Sequence, residues 1–379
     1  MEEQLRSPRL PECPRATVDT MSIAQVRDHM NSLPSHPEVT RTLQQLFADW
    51  QQDRSATQPI QTIRQLLDSI RGLPRGDERT AAMNTVVRTL GTPSALATLL
   101  DMLRDSAKRV GSREQELSLY SRLEPKHSSY GWSGFTKLIC SSPDPTPATL
   151  SSEAGVQEIL GNAPATMWGL NMHIWQPNPF AQGFPSGKKP EPNIVVEPPH
   201  SHPFDFVSMV AIGSMHQSIY GERKDADSTI ESIDENSAGR YSGLTLEHVT
   251  GVWPPHPEQE STQIITLEER IALSAGDSYY LPCNVIHDVE VDTCTASTRP
   301  PITLFLRSEA TVKPHVYMAR AMADFHAKYP NIEKSGKPMT EEDWHAKLRL
   351  VSDYLRGKSP QLILDSVVKQ NGEYAFFHR

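Results

Sequence analysis

Pro198-Pro199-His200-Ser201-His202-Pro203-Phe204 and, further along, Gly276-Asp277-Ser278-Tyr279-Tyr280-Leu281-Pro282-Cys283-Asn284-Val285-Ile286-His287 decide how this chain is read. Successive side chains on a strand point to opposite faces, so His200 and His202 project the same way. A third histidine on a neighbouring strand, His287, completes a facial set of three imidazoles with coordination positions left open. That is the arrangement a catalytic transition metal needs.

The two segments resemble the paired motifs of the cupin superfamily, small β-barrels (double-stranded β-helices) that hold one metal inside. The first motif there reads H-x-H, a short gap, a Glu, then a Gly that ends the hairpin. His200, His202 and Gly213 fit it, whereas Phe206 and Val207 stand where the Glu is expected. The resemblance is therefore to a three-histidine variant. In the second motif Gly276, Pro282 and His287 match at the right spacing, Asn284 replaces a Gly and Val291 replaces an Asn. Asn tolerates positive φ better than other non-glycine residues, so the turn before His287 survives that replacement.

Trp168–Trp175 and Pro301–Arg307 read as strands, and resemble those flanking the motifs in cysteine-dioxygenase-like cupins, where three histidines hold ferrous iron. The resemblance spans roughly residues 130–312. It implies a mainly β chain with added helices, and Fe(II) on His200, His202 and His287. It also implies oxidation by O2 of a small polar molecule, amino-acid-like or thiol-like. Three neutral imidazoles by themselves suit Fe(II), Cu, Zn, Ni or Mn, and affinity alone does not choose. A redox-neutral lyase or isomerase and a non-catalytic ligand-binding cupin are the alternatives.

Other residues are candidates around that centre. Arg307 follows the second motif, where it either clamps a substrate carboxylate bidentately or sits at a barrel rim in an ion pair. Lys137 is a second choice for substrate binding. Tyr220 and one of the adjacent pair Tyr279 and Tyr280 offer a hydroxyl near the metal; Tyr280 is taken with Tyr220 as catalytic. His173 is either an acid or base close to the metal or a satisfied core histidine. Asp205 has odd spacing from His202 and points outward on a regular strand. Thiol-oxidising relatives carry a Cys–Tyr crosslink near the metal, but Val207 occupies the expected cysteine position. Cys283 reads as a buried inert thiol.

Net charge is −9 and there is no basic patch, which argues against nucleic-acid and anionic-membrane partners. No apolar run reaches the length of a membrane span. Four cysteines without a C-x-x-C suit reduced thiols in the cytoplasm, the expected location.

Residues 1–20 read as a mobile tail. Residues 21–125 read as a module of about five short helices. Its apolar stripes are Val39, Leu43, Leu46, Phe47 and Trp50, then Ile63, Leu66, Leu67 and Ile70, with breaks at Gly72-Leu73-Pro74 and Gly91-Thr92-Pro93. Twelve prolines between Pro143 and Pro203 mark the change to loop-rich β structure. Strands are expected near 165–176, 193–202, 205–212, 215–220, 244–252, 262–273, 277–282, 286–292 and 301–307, with an exposed loop over 222–240. Residues 313–379 read as C-terminal helices packing on the barrel. One uses Met318, Met322 and Phe325, and one opens at the capping box Thr340–Asp343 with Trp344, Leu348, Val351 and Leu355 on one face. The expected partners are a small-molecule substrate and O2, and the helices offer a surface for a homodimer or for closing the barrel mouth.

Overall fold

The computed structural model describes residues 22–110, 129–130, 135–141, 169–175, 194–196, 199–202, 204–223, 240–245, 261–292, 299–310, 317–319 and 341–362. Five helices come first: α1 (Ile23–Ser32), α2 (Pro37–Gln52), α3 (Pro59–Arg71), α4 (Asp77–Leu90) and α5 (Pro93–Val110). Local chemistry sets their ends. Ser22 and Gln25 form a capping box at the start of α1, and Pro37 and Pro59 open α2 and α3. Gly72 and Gly91 follow the last turns of α3 and α4, as the sequence breaks predict. Val39, Leu43, Leu46 and Trp50 form the buried stripe of α2.

The strands make two six-stranded antiparallel sheets. The first runs in the order β1 (Ser129–Tyr130), β2 (Phe135–Ser141), β3 (Gly169–Trp175), β11 (Ile302–Ala310), β5 (Phe204–Ile212), β9 (Ser278–Leu281). The second is β12 (Tyr317–Ala319), β7 (Arg240–Thr245), β8 (Ser261–Ser274), β6 (Ser214–Arg223), β10 (Ile286–Asp292), β4 (Ile194–Val196). A last helix, α6 (Glu341–Leu355), buries Leu348, Val351 and Leu355.

The first sheet is covered on both faces, which explains why its strands read as nearly unbroken apolar runs. Leu170, Met172, Val207, Met209, Leu304 and Leu306 share one apolar core with the helices. Their alternates Trp175, Phe204, Phe206 and Phe305 share a second core with Met215, Leu273, Val289 and Val291 of the second sheet. The two sheets therefore pack face to face, and helices lie on the outer face of the first. Helix α1 also reaches the end of the sandwich: Glu269 on β8 accepts hydrogen bonds from the Ile23 and Ala24 amides at 2.7 and 3.0 Å, capping the helix N-terminus.

Several sequence expectations shift. Met318 lies in a strand, not a helix, because Tyr317–Ala319 pairs with residues 243–245 of β7; Met322 and Phe325 lie outside the described residues. Strand β6 runs on to Arg223, paired with Ile264, so the polar insertion begins later than its composition suggests. Strand β7 covers Arg240–Thr245, and residues 246–252 of the expected 244–252 strand lie outside the described residues. Strands β1 and β2 were not among the expected strands. The tail 1–20 lies outside the described residues.

Candidate metal centre

His200, His202 and His287 come together between the sheets, with one ring nitrogen from each within 4.8 Å of the others. His200 and His202 do not lie on a regular strand as their spacing predicts. Outside strand β4 (Ile194–Val196), an isolated bridge joins His200 to His287. That bridge is a full antiparallel pair, each amide donating to the other's carbonyl at 2.9 Å. Facing residues of such a pair project to the same side, so the main chain aims both imidazoles inward.

Nε2 of His200 and Nε2 of His202 are 3.2 Å apart. Two ligands on one metal with bonds of about 2.1 Å and angles between right-angled and tetrahedral stand about 3.0–3.4 Å apart. The spacing fits a facial metal set. Nδ1 of His287 lies 3.3 Å from the Val285 carbonyl, and a proton donated there leaves Nε2 as the free donor atom. The turn that delivers His287 has Asn284 at φ 72°, the conformation that the replacement of Gly by Asn allows. Asp205 helps hold this turn: its Oδ1 accepts the Cys283 amide at 2.8 Å, so its carboxylate serves the loop rather than a metal. Cys283 is half-buried rather than fully buried.

His202 and His287 are kept neutral. Burial, reinforced by the neighbouring charges of His200, His287, His173 and Arg307, holds His202 well below the usual histidine range. Burial and the charge of His200 do the same for His287. Neutral imidazole is the ligating form, so these residues need shed no proton to bind a cation near pH 7. Aromatic rings wall the centre: Phe204 stacks on His202 at 5.0 Å, and Phe206 lies 5.1 Å from His202 and 5.8 Å from His287.

Strand alternation places the other candidates. On β11, Leu304 and Leu306 face the helices while Thr303, Phe305 and Arg307 face the interior. The Arg307 guanidinium lies 5.4 Å from the Phe204 ring, no carboxylate among the described residues pairs with it, and its Nε has no partner. Burial brings its pKa down to about 10. His173 also faces inward, stacked on Phe305 at 5.3 Å. His173, His202 and Arg307 keep part of their surface accessible although desolvation governs the protonation of the last two.

Two tyrosines fall elsewhere. Tyr280 belongs to the helix-side core; its neighbour Tyr279 faces the interior, packing on Phe206 at 6.1 Å. Tyr220 pairs with Ile286, one residue from His287, and therefore points to the opposite face of the second sheet. Its hydroxyl donates to Asp288 Oδ2 at 2.5 Å, on a carboxyl that burial pushes up. Lys137 is fixed only as the register partner of His173; its side chain lies outside the described residues.

Sequence reasoning passed over Asn171 and Gln217. Both are fully buried, and neither nitrogen nor oxygen of either side chain has a hydrogen-bond partner. Each unmet buried polar atom costs about 1–3 kcal/mol. Alternation was the available signal: Leu170, Met172 and Ile174 share one face of β3, and Asn171 and His173 share the other.

No protein-family model matches the chain, and no curated protein matches it. Solved structures that align with it include an L-ribose isomerase from Cellulomonas parahominis, at 13% identity over 67% of this chain and 100% of that one, TM-score 0.28. A hydroquinone 1,2-dioxygenase in complex with Cd2+ and 4-hydroxybenzonitrile aligns at 12% identity over 38% of this chain, TM-score 0.19. An oxalate decarboxylase from Bacillus subtilis aligns at 10% identity over 49% of this chain, TM-score 0.21. The chain spans 58% of the dioxygenase chain and 28% of the decarboxylase chain. At these TM-scores none of the alignments argues for a shared activity. Among the described residues, no helix is long and apolar enough to cross a membrane.

Proposed function

We propose that this chain is a mononuclear non-haem iron cupin oxygenase that oxidises a small polar, amino-acid-like or thiol-like substrate with O2. The observation that carries the proposal is three imidazoles converging between two sheets beside a buried guanidinium with no carboxylate partner among the described residues. Fe(II) would be held by His200, His202 and His287, and when bound supplies the one-electron chemistry that lets dioxygen react with a closed-shell molecule.

The chain's own residues do the rest. Arg307 neutralises and orients a substrate carboxylate, an interaction strengthened by the low local dielectric. Phe204, Phe206 and Phe305 exclude water around the reacting atoms. His173, facing the interior from β3, is the group placed to hold or return a proton. Val207 packs toward the helices, so nothing at that position supplies a thiol for crosslinking. That favours a substrate oxidised without a protein-derived cofactor.

The test is metal content and O2 uptake of protein purified anaerobically, wild type beside His200→Ala. About one iron per chain, lost in the variant, with O2 consumed on adding an amino acid or thiol, is the expected result. Turnover that persists without O2 on zinc, nickel or manganese would move the chain to redox-neutral lyase or isomerase chemistry. Protein that takes up no metal refutes the proposal.

A further inference from the structure

Asn171 on β3 and Gln217 on β6 lie on the two facing sheets. Strands β5 and β6 lie in different sheets and are joined by the turn at Gly213, where the chain crosses from one sheet to the other. On the first sheet, Phe305 pairs with both Ser208 and Asn171, which sets Asn171 one same-face step closer to Gly213 than Arg307 and its partner Phe206. On the second, Gln217 pairs with Val289, one same-face step closer to Gly213 than His287 and its partner Ile219. One such step is about 7 Å along a strand, and facing sheets lie about 10 Å apart. Both amides therefore project into the interior from opposite walls, Asn171 one same-face step from Arg307 and Gln217 one from His287.

Fully buried primary amides normally have partners, because their desolvation is otherwise uncompensated. Here all four polar atoms lack one. Each amide presents one orphaned donor group and one orphaned acceptor. A second carboxylate can only accept, and an ammonium can only donate; either leaves half of these atoms unmet. A hydroxyl or a carboxamide does both.

We propose that Asn171 and Gln217 are specificity-determining residues for the ligand's far end. The preferred ligand is a small carboxylate ending in a neutral group that both donates and accepts hydrogen bonds, a hydroxyl or carboxamide. The proposal rests on Arg307 as the carboxylate clamp. Arg307 fixes one end of the ligand and the paired amides select the other. A site built to satisfy such a group rejects an analogue lacking it, since the amides are then left unpaired.

The experiment is calorimetric binding to metal-loaded protein of four probes: pentanoate, glutarate, 5-hydroxypentanoate and glutaramate. The last two should bind at least about tenfold tighter than the first two. Asn171→Leu and Gln217→Leu should reduce that preference to about twofold or less while leaving the unfolding midpoint of the ligand-free protein unchanged or raised, since no existing hydrogen bond is removed and unmet polar atoms are. Arg307→Met should abolish binding of all four. Equal binding of all four to wild type overturns the amide assignment and leaves Arg307 standing. Binding unaffected by Arg307→Met overturns the clamp, and this inference with it. A fall of several degrees in the midpoint of both leucine variants would mean that the amides serve the fold, and would also overturn the proposal.

Discussion

His200 and His287 exchange both of their backbone hydrogen bonds at 2.9 Å, so two of the three convergent imidazoles are aimed by main chain alone. The pairing belongs to the peptide groups and does not need the rings. His200→Ala and His287→Ala should therefore lower metal content from about one ion per chain to a tenth or less while far-UV circular dichroism is unchanged. Elemental analysis of protein reconstituted anaerobically checks this. Metal retained in His287→Ala would remove the centre from consideration.

Arg307 should be a liability to the empty protein. A buried guanidinium loses its hydration, and no carboxylate among the described residues pairs with it. Arg307→Met keeps the apolar stem over Phe204 and removes the charge. The ligand-free variant should be more stable by about 1–2 kcal/mol in chemical denaturation. Its KM for a carboxylate substrate should rise at least about tenfold. A variant less stable than wild type would show that the charge has a structural partner.

Glu309 ties the helices to the sheet. Arg75 reaches its Oε1 at 2.8 Å, and Arg79 on α4 bonds Oε2. Burial alone would push this carboxyl up, but the charge of Arg79 and the hydrogen bonds from both arginines outweigh it and bring the pKa down to about 2. A carboxyl lowered on folding stabilises the native state above its unfolded pKa. That contribution is lost as pH falls from about 4.5 toward about 2. The expected loss is on the order of 2–3 kcal/mol. Denaturation midpoints at pH 7, 4.5 and 3 should fall across that window in wild type and much less in Glu309→Gln. Parallel pH profiles would place the acid sensitivity elsewhere.

Much of this arrangement was legible in sequence, where short-range chemistry sufficed. Gly72 and Gly91 marked helix ends, the period-3.6 stripe found the buried face of α2, and Asn284 was readable as a positive-φ turn. The three histidines were readable as a set from the H-x-H and the turn before His287, although His200 and His202 lie off a regular strand. What failed depended on partners distant in the chain. Met318 suits a helix by composition, but strand β7 captures it as an edge strand. Tyr220 and Tyr280 have the right chemistry on the wrong face, a matter of one residue of register. Asn171 and Gln217 drew no notice because an isolated amide in a strand is unremarkable until its burial and missing partners are known.

Gly91 lies where the end of α4 packs against Met209 of the first sheet. Its backbone is right-handed helical at φ −82°, ψ −6°, so any residue could adopt it; the constraint is space. A Cβ there would stand 2.4 Å from the Val87 carbonyl oxygen and 2.8 Å from Met209 Sδ on β5. The methionine can swing away, but the carbonyl oxygen belongs to the last turn of α4 and can retreat only by distorting the helix end against β5. Gly91→Ala should therefore destabilise by about 1–3 kcal/mol with an unchanged denaturant slope. Adding Met209→Ala should not restore stability, because the backbone clash remains and an emptied core position costs about 2–4 kcal/mol more. Recovery in the double variant would show that the sulfur contact, not the carbonyl, sets the approach of α4 to the sheet.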